Sequence, residues 1–274
     1  MNYTKEQTAG LKEQTFAYLE VSEKDHLLTI TLNRPQARNA MSPTMIREYA
    51  YAMSYAHHHA HIWAVVFAAN GKIWCAGADL KAMRGKEEAN DSTIPMPQTP
   101  IVMAELFTKI HKPVIAKVHA PVYAGGFLLI GGCTYVVATE NATFTLPEVK
   151  RGIFPFQVMA SLIKIMPARQ VIDFCIRAKS MSAAEAQQAG LVTHLVASED
   201  QLDATIENLT QEIFANSPSA IRLGLKAFDE MRSLPESEQQ AYLAKVLAET
   251  IQTKDAQEGL KAFAEKRPPV WTGE

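Results

Sequence analysis

The sequence predicts an α/β protein with a mostly parallel sheet, followed by a region made only of helices. Up to about residue 155, short apolar runs alternate with helical patterns, which is typical of right-handed βαβ units. Beyond that point, apolar residues recur at helical spacing and strand patterns fade. The chain has 274 residues, of which 47% are hydrophobic and 20% are charged, so it can bury a substantial core.

The elements of the front region follow in order. Residues 26–35 alternate in polarity and predict a strand that ends at Pro35. Ser42 and Pro43 are typical of the N-cap and first turn of a helix, which we expect to run to residue 56. Mainly apolar runs predict strands buried on both faces at 62–69, 113–120 and 134–139. A further helix is expected through 104–110, after a polar loop near 84–99.

The rear region begins with an apolar stripe at helical spacing, formed by Leu202, Ile206, Leu209 and Ile213. Further helical patterns cover 217–231, 235–250 and 254–265. No Ser/Gly-rich linker separates the two regions. We therefore predict a core over residues 1–200 and a helical region over residues 201–274, which packs on this chain or on another subunit.

Composition excludes several classes of protein. The 27 basic and 29 acidic side chains give a formal charge of −2, so we expect no nucleic-acid partner and no anionic-membrane partner. Three sparse cysteines favour a reducing compartment, and we expect a cytoplasmic protein. The uncharged stretch 118–139 is interrupted by Pro121 and four glycines, so we do not expect it to span a membrane.

Histidines cluster after the first predicted helix. His57 and His61 are four residues apart, a spacing that can bind a metal ion. No carboxylate or cysteine lies close to them in the sequence. We therefore expect a solvated helix end rich in histidine and no metal site.

Two loops of small residues follow predicted strands, at residues 75–80 and 123–127. Small residues allow a backbone to approach a ligand, and a helix that begins there presents free backbone N–H groups. Two such groups directed at one oxygen form an oxyanion hole. The alternative is that the glycines only allow close packing of helix and sheet.

The motifs in these loops resemble the crotonase (enoyl-CoA hydratase/isomerase) superfamily. The resemblance runs from about residue 26 to the C-terminus and keeps the order and spacing of the motifs. It is carried by Leu32–Pro35, Arg38–Ala40, Cys75–Lys81, Ala124–Gly126, Pro147–Glu148, Gly152 and Pro155.

The resemblance implies a crotonase-like spiral of ββα units with a C-terminal helical trimerisation region. It implies a homotrimer or a dimer of trimers that binds an acyl-CoA thioester, with no cofactor beyond the CoA moiety of the substrate. By position, the oxyanion-hole N–H groups belong to Ala78 and Gly125. The backbone of the adenine pocket corresponds to Ala37, Ala76, Asp79 and Leu80.

On the terminal helix, Phe263 and Lys266 match positions that in the family reach CoA on a neighbouring subunit. For Lys266 the alternative is a solvated charge at a helix end. The polar loop near 84–99 carries Glu87 and Glu88. This loop either closes over the substrate or is a disordered segment at the surface.

Glu148 matches one of the two catalytic glutamates of the hydratases, whereas the position of the other holds Leu128. The expected function is an enoyl-CoA hydratase/isomerase with one glutamate as acid and base. A single glutamate also suits a double-bond isomerase, and Phe154 and Phe156 suggest an altered acyl pocket. The remaining alternative is a non-catalytic, CoA-thioester-binding scaffold.

Overall fold

The computed structural model describes residues 1–87 and 89–274. Its larger sheet has six strands in the order β1-β2-β3-β4-β6-β9. The pair β1 and β2 is antiparallel, and every other neighbouring pair is parallel. The strands are β1 (Leu19–Lys24), β2 (Leu27–Leu32), β3 (Ala64–Ala69), β4 (Val114–Val118), β5 (Val122–Tyr123), β6 (Tyr135–Thr139), β7 (Thr143–Thr145), β8 (Ser180–Ser182) and β9 (His194–Val196).

A smaller sheet has the order β5-β7-β8. Strand β4 lies in the large sheet, the next strand β5 lies in the small sheet, and a short helix follows β5. The next unit repeats this order, with β6 in the large sheet, β7 in the small sheet and a short helical turn after β7. In the segment after β3, Cys75 forms a parallel β-bridge with Val122 of β5. This repetition is a spiral of ββα units, which confirms the predicted fold.

The helices agree with the sequence patterns where those were strong. The helices are α1 (Lys5–Thr8), α2 (Pro43–His58), α3 (Met103–Ile110), α4 (Phe127–Ile130), α5 (Phe156–Leu162), α6 (Ala168–Arg177), α7 (Ala183–Gln188), α8 (Glu199–Phe214), α9 (Pro218–Met231), α10 (Glu236–Ile251) and α11 (Lys254–Glu265). Ser42 caps α2 as predicted, since its side chain accepts a hydrogen bond from the Met45 amide.

Strand β1 was not predicted, because most of its residues are exposed or half-buried and its apolar alternation is limited to Leu19 and Val21. The expectation of helices alone beyond residue 155 is also wrong, since the three-residue strands β8 and β9 lie there and are too short to give a pattern. It pairs with β2 through a tight turn in which Asp25 and His26 have positive φ angles of 45° and 70°. The predicted strand 26–35 is accordingly shortened to Leu27–Leu32.

The central strands of the large sheet, β3, β4 and β6, are buried on both faces. In β3, Val65 and Phe67 belong to the main core, whereas Val66 faces the stripe on α8. That stripe is the predicted one, and its four residues are all buried. Because successive side chains of a strand point to opposite faces, a strand covered on both sides is apolar throughout.

The last three helices pack mainly on one another and on α3. Helix α10 contributes no buried residue. Several large apolar side chains of this region are exposed: Phe228, Leu247, Ile251, Leu260, Phe263 and Val270. Across residues 1–87 and 89–274, no helix is long and apolar enough to span a membrane.

Candidate active site

The two loops of small residues lie against each other. The amide of Tyr123 donates to the carbonyl of Cys75 at 2.8 Å, which continues the small sheet between the loops. A Cβ on Gly77 would lie 2.6 Å from the Cβ of Ala124 and 2.9 Å from the amide nitrogen of Gly125. Gly77 also has a φ of 90°, so glycine is required there for both space and conformation.

Ala78 and Gly125 meet at this contact. A Cβ on Gly125 would be 3.4 Å from the amide nitrogen of Ala78. Within the described residues, the Ala78 amide donates to no protein acceptor, and Gly125 lies in the first turn of a 3₁₀ helix, where amides lack intrahelical partners. Ala124, just before it, has a strained φ of 49°. Two free backbone amides side by side are the hydrogen-bond donors that an oxyanion hole requires.

Several contacts fix the loop that carries Ala78. The backbone of Met41 accepts from Asp79 at 2.9 Å and donates to Gly77 at 2.8 Å. The Asp79 carboxylate binds the guanidinium of Arg34 at 2.6 Å, and its other oxygen accepts from the amide of Ala82. Burial raises the pKa of Asp79, but the hydrogen bonds from Arg34 and from the amides of Ala82 and Lys81, together with the charge of Arg34, outweigh it and hold the pKa below its usual value.

A cavity of about 650 Å³ opens beside the two amides. Ala78, Gly125, Leu128 and Glu148 line it together. Its other walls come from α2, α3, the start of α5, the residues just before each of these helices, and Met83 on the loop after Ala78. They are mostly apolar: Met41, Ile46, Met83, Ile101, Val102, Met103, Ala104, Phe154, Pro155, Phe156, Gln157 and Val158. The structure thus brings three residues expected to perform the chemistry, Ala78, Gly125 and Glu148, into one apolar pocket.

Glu148 is the first residue of a 3₁₀ turn and is only 9% exposed. Its Oε2 atom is buried and has no hydrogen-bond partner in the described part of the chain. Burial raises the pKa of this carboxyl, although its own backbone amide and Arg151 oppose the shift. A buried, unpartnered polar group costs about 1–3 kcal/mol, so its retention indicates a functional role.

The residues expected at CoA divide into two sets. Ala37, Ala76, Asp79 and Leu80 lie on loops that are joined to each other, since the Ala76 amide donates to the Arg38 carbonyl at 3.0 Å. Leu80 is exposed beside them. Phe263 and Lys266 lie instead at the end of α11, outside the cavity wall. Phe263 is 86% exposed, and their roles at CoA stay predictions.

The loop near 84–99 is fastened at both ends. Glu87 accepts a hydrogen bond from the amide of Thr44 at the start of α2. The N-terminal segment holds the other end, because Tyr3 donates to the carbonyl of Pro95 and Asn2 donates to that of Pro100. Glu88 lies outside the described residues. The contact between the N-terminal segment and this loop was not predicted, because no apolar pattern in the N-terminal segment indicates a distant partner.

The histidine cluster is only partly solvated, since His57, His58 and His59 are half-buried and His61 is exposed. His57 is half-buried beside His111, and burial lowers its pKa to about 4. His61 pairs with Glu23 at 3.1 Å. Among the described residues, no group of three histidine, cysteine or acidic side chains is arranged to hold a metal ion.

Known proteins resemble this chain over most of its length. The family model described as enoyl-CoA hydratase/isomerase matches residues 22–274. A mevalonyl-coenzyme A hydratase of Aspergillus fumigatus is 32% identical in an alignment that covers 90% of this chain and 91% of that protein. An enoyl-CoA hydratase of Mycobacterium tuberculosis is 33% identical in an alignment that covers 91% of this chain and 94% of that one. A crystal structure of an enoyl-CoA hydratase from Mycobacterium tuberculosis H37Rv has a TM-score of 0.82 at 31% identity, covering 94% of this chain and 100% of that one.

Proposed function

The chain belongs to the enoyl-CoA hydratase/isomerase family, and from this premise we propose that it moves a proton between C2 and C4 of an enoyl-CoA thioester. It is an enzyme of that family, which acts on CoA thioesters. The proposed reaction converts a 3-enoyl thioester into the conjugated 2-enoyl thioester. The observation that carries it is that Glu148 is the only carboxylate among the described residues of the cavity wall.

In the proposed mechanism, the thioester oxygen accepts hydrogen bonds from the amides of Ala78 and Gly125. Glu148 removes a proton from C2, and negative charge moves to that oxygen as the enolate forms. The two amides stabilise this charge, and one such donor contributes about 3–4 kcal/mol. Glu148, now protonated, returns the proton at C4. The raised pKa of its carboxyl suits both steps.

Hydration is the second candidate, and two observations favour it. The two curated relatives described above carry hydratase names. Gln157 also lines the cavity, and its side-chain amide is able to hold a water molecule. Leu128 opposes this alternative, because it neither accepts nor donates a hydrogen bond where the hydratases have a second glutamate.

We further propose that the active form is a homotrimer or a dimer of trimers in the cytoplasm, with no cofactor beyond the CoA moiety. The exposed apolar side chains of α10 and α11 support an assembly. The three free thiols support a reducing compartment. A scaffold without activity would not require Glu148 to stay buried and unpartnered, so we do not favour it.

A direct test compares crotonyl-CoA with vinylacetyl-CoA, its 3-enoyl isomer, by following the absorbance of the conjugated thioester. We expect absorbance to rise with vinylacetyl-CoA and to fall only slowly with crotonyl-CoA. Glu148→Gln is the control, since it removes the base and keeps the shape. Rapid hydration of crotonyl-CoA without isomerisation of vinylacetyl-CoA would overturn the proposed isomerase reaction in favour of hydration.

A further inference from the structure

A second cavity lies next to the proposed active site. It has a volume of about 240 Å³ and is enclosed by α3, by the segment from α4 to α5, and by α9. Leu128 and Ala104 line both cavities. We call the second cavity the tail chamber; its wall includes Phe107, Lys112, Leu128, Lys164, Phe228 and Arg232.

The tail chamber is apolar over much of its wall and cationic elsewhere. Its ionisable side chains are Lys112, Lys164, Arg232 and Asp229, which give a formal charge of 3 − 1 = +2 when all four are ionised. Burial lowers the pKa of Lys112 to about 7, so this amine is only partly charged at pH 7 and the full charges are those of Lys164, Arg232 and Asp229. His111 also lines it, and burial lowers the pKa of that imidazole, so the histidine is neutral at pH 7. The active-site cavity has no cationic side chain among the described residues of its wall.

The three cations are held in different ways. Lys112 is 5% exposed, and its ammonium donates to the carbonyls of Ala56 and His59 at the end of α2. Arg232 lies over the ring of Phe228, with 5.4 Å from the guanidinium carbon to the ring centre. Lys164 is exposed on the loop after α5. Lys112 is thus already engaged by protein carbonyls, whereas Arg232 is a charge that the protein positions before any ligand arrives.

We infer that the tail chamber binds the far end of the acyl chain and that this end carries a carboxylate. The inference rests on the proposed function, because it places the thioester of an enoyl-CoA in the neighbouring cavity. The chain would pass Leu128, an apolar side chain against which methylene groups lose no hydrogen bond. The carboxylate would then meet Lys164 and the guanidinium of Arg232, which matches it with two parallel donors.

Other tails fit the tail chamber less well. A methyl end would desolvate the cations without replacing their hydrogen bonds. A cationic end would meet the like charges of Lys164 and Arg232, opposed among the described wall residues by the carboxylate of Asp229. A short acyl group such as that of crotonyl-CoA would fill only the first cavity and would leave the tail chamber to water.

The first experiment compares matched substrates on the full-length wild-type enzyme. Hex-2-enoyl-CoA and its analogue with a terminal carboxylate differ only at the end of the chain, and crotonyl-CoA reports the activity without a tail. Because hydrogen bonds to charged groups are stronger than neutral ones, we expect kcat/KM for the carboxylate to exceed that for the methyl end by about tenfold. The matching 3-enoyl substrates give the same comparison for isomerisation.

The outcomes separate the two proposals. No turnover of any 2-enoyl or 3-enoyl substrate overturns the proposed function. Turnover of the short substrates with equal or better use of the methyl end overturns the inference and leaves the proposed function standing. An analogue with a terminal ammonium is a third arm, and a preference for it also overturns the inference.

Charge removal provides the second experiment. We expect the double variant Lys164→Gln/Arg232→Gln to lower the ratio of kcat/KM for the carboxylate to that for the methyl end by about tenfold. Lys245→Gln is the matched control, since that ammonium is 76% exposed on α10 and away from the tail chamber. The control should leave the ratio unchanged. An unchanged ratio in the double variant, with an unchanged melting temperature, overturns the inference.

Discussion

Arg34 donates a hydrogen bond to the carboxylate of Asp79 at 2.6 Å and thereby ties the loop after β2 to the loop that carries Ala78. The same guanidinium nitrogen reaches the carbonyl of Ala40 at 3.3 Å, and the guanidinium lies over the ring of Tyr18. Both partners of the ion pair are largely buried. A proposed oxyanion donor is therefore positioned by a residue that lies outside the cavity wall.

Replacement of Arg34 by methionine should loosen the loop without touching the substrate. We expect the free energy of unfolding to fall by about 1–3 kcal/mol, because Asp79 loses a charged hydrogen-bond partner. We expect kcat to fall more than KM rises, since the oxyanion contact strengthens only as charge develops. Arg34→Lys should restore part of both losses. A purely structural role would lower stability in the methionine variant and leave kcat per folded molecule unchanged.

The sequence predicted most of the large sheet because strands buried on both faces are apolar throughout, as β3 is. It did not predict β1, whose polar residues are equally compatible with a loop. It placed Ala78, Gly125 and Glu148 in one site only through the resemblance to known motifs. Met41 and Met103 were missed as wall residues, because they come from distant segments and no local pattern marks a cavity. The contact between the two loops depends on a backbone conformation at Ala124 that composition does not reveal.

Substitution of Glu148 by glutamine should abolish turnover, because the amide keeps the shape of the side chain and removes the base. Binding of a CoA thioester should stay within a few-fold of the wild-type value, since no proton moves on binding. Turnover is measured with vinylacetyl-CoA, and binding by calorimetry with a saturated acyl-CoA. Retention of most of the activity would show that another group carries the proton.

The pH profile should report the raised pKa of Glu148. Proton removal needs the ionised carboxylate, so kcat/KM should fall as the pH drops through the pKa of the folded enzyme. Because burial raises that pKa, the acid limb should lie above the ordinary glutamate value of 4.5. Rates with vinylacetyl-CoA between about pH 4.5 and 8 measure it. An acid limb at or below 4.5 would contradict the assignment of this group as the base.

Asp255 should anchor the C-terminus. Its carboxylate is fully buried and accepts hydrogen bonds from the amides of Thr272, Gly273 and Ser219. Burial alone would raise its pKa, but these hydrogen bonds hold the pKa below 3.8. Asp255→Asn places an NH₂ group against donors, so we expect a loss of about 2–3 kcal/mol at pH 7.

The sign of the pH dependence follows from the lowered pKa. The stabilisation is complete above the unfolded value of 3.8 and is lost as the pH falls through the lower folded value. Denaturant unfolding should therefore show a difference between wild type and Asp255→Asn that shrinks in strong acid. Asp173→Asn is the control, because the Asp173 side chain is 58% exposed and its ion pair with Arg177 lies at the surface. A loss in that variant as large as in Asp255→Asn would contradict the anchoring role.

Leu128 should decide between isomerisation and hydration. It lies on α4 three residues after Gly125, and its side chain lines the cavity that also contains Glu148. A carboxylate at this position can hold a water molecule, whereas leucine has no hydrogen-bonding group. We expect Leu128→Glu to raise the rate of crotonyl-CoA hydration relative to vinylacetyl-CoA isomerisation. Because two carboxylates would then share one apolar pocket, one of them should take up a proton near neutral pH, and the free energy of unfolding should fall by about 1–3 kcal/mol.

Leu128→Gln separates the polarity of the new side chain from its acid-base function. It can hold water and cannot move a proton, so we expect less hydration than in Leu128→Glu and about the same isomerisation. The two rates are measured in parallel from the absorbance of the conjugated thioester, with folding checked by melting. If wild type already hydrates crotonyl-CoA rapidly and neither variant changes the ratio, Leu128 does not govern the reaction. Water would then be held by Glu148 together with another group of the wall, for which Gln157 is the polar candidate.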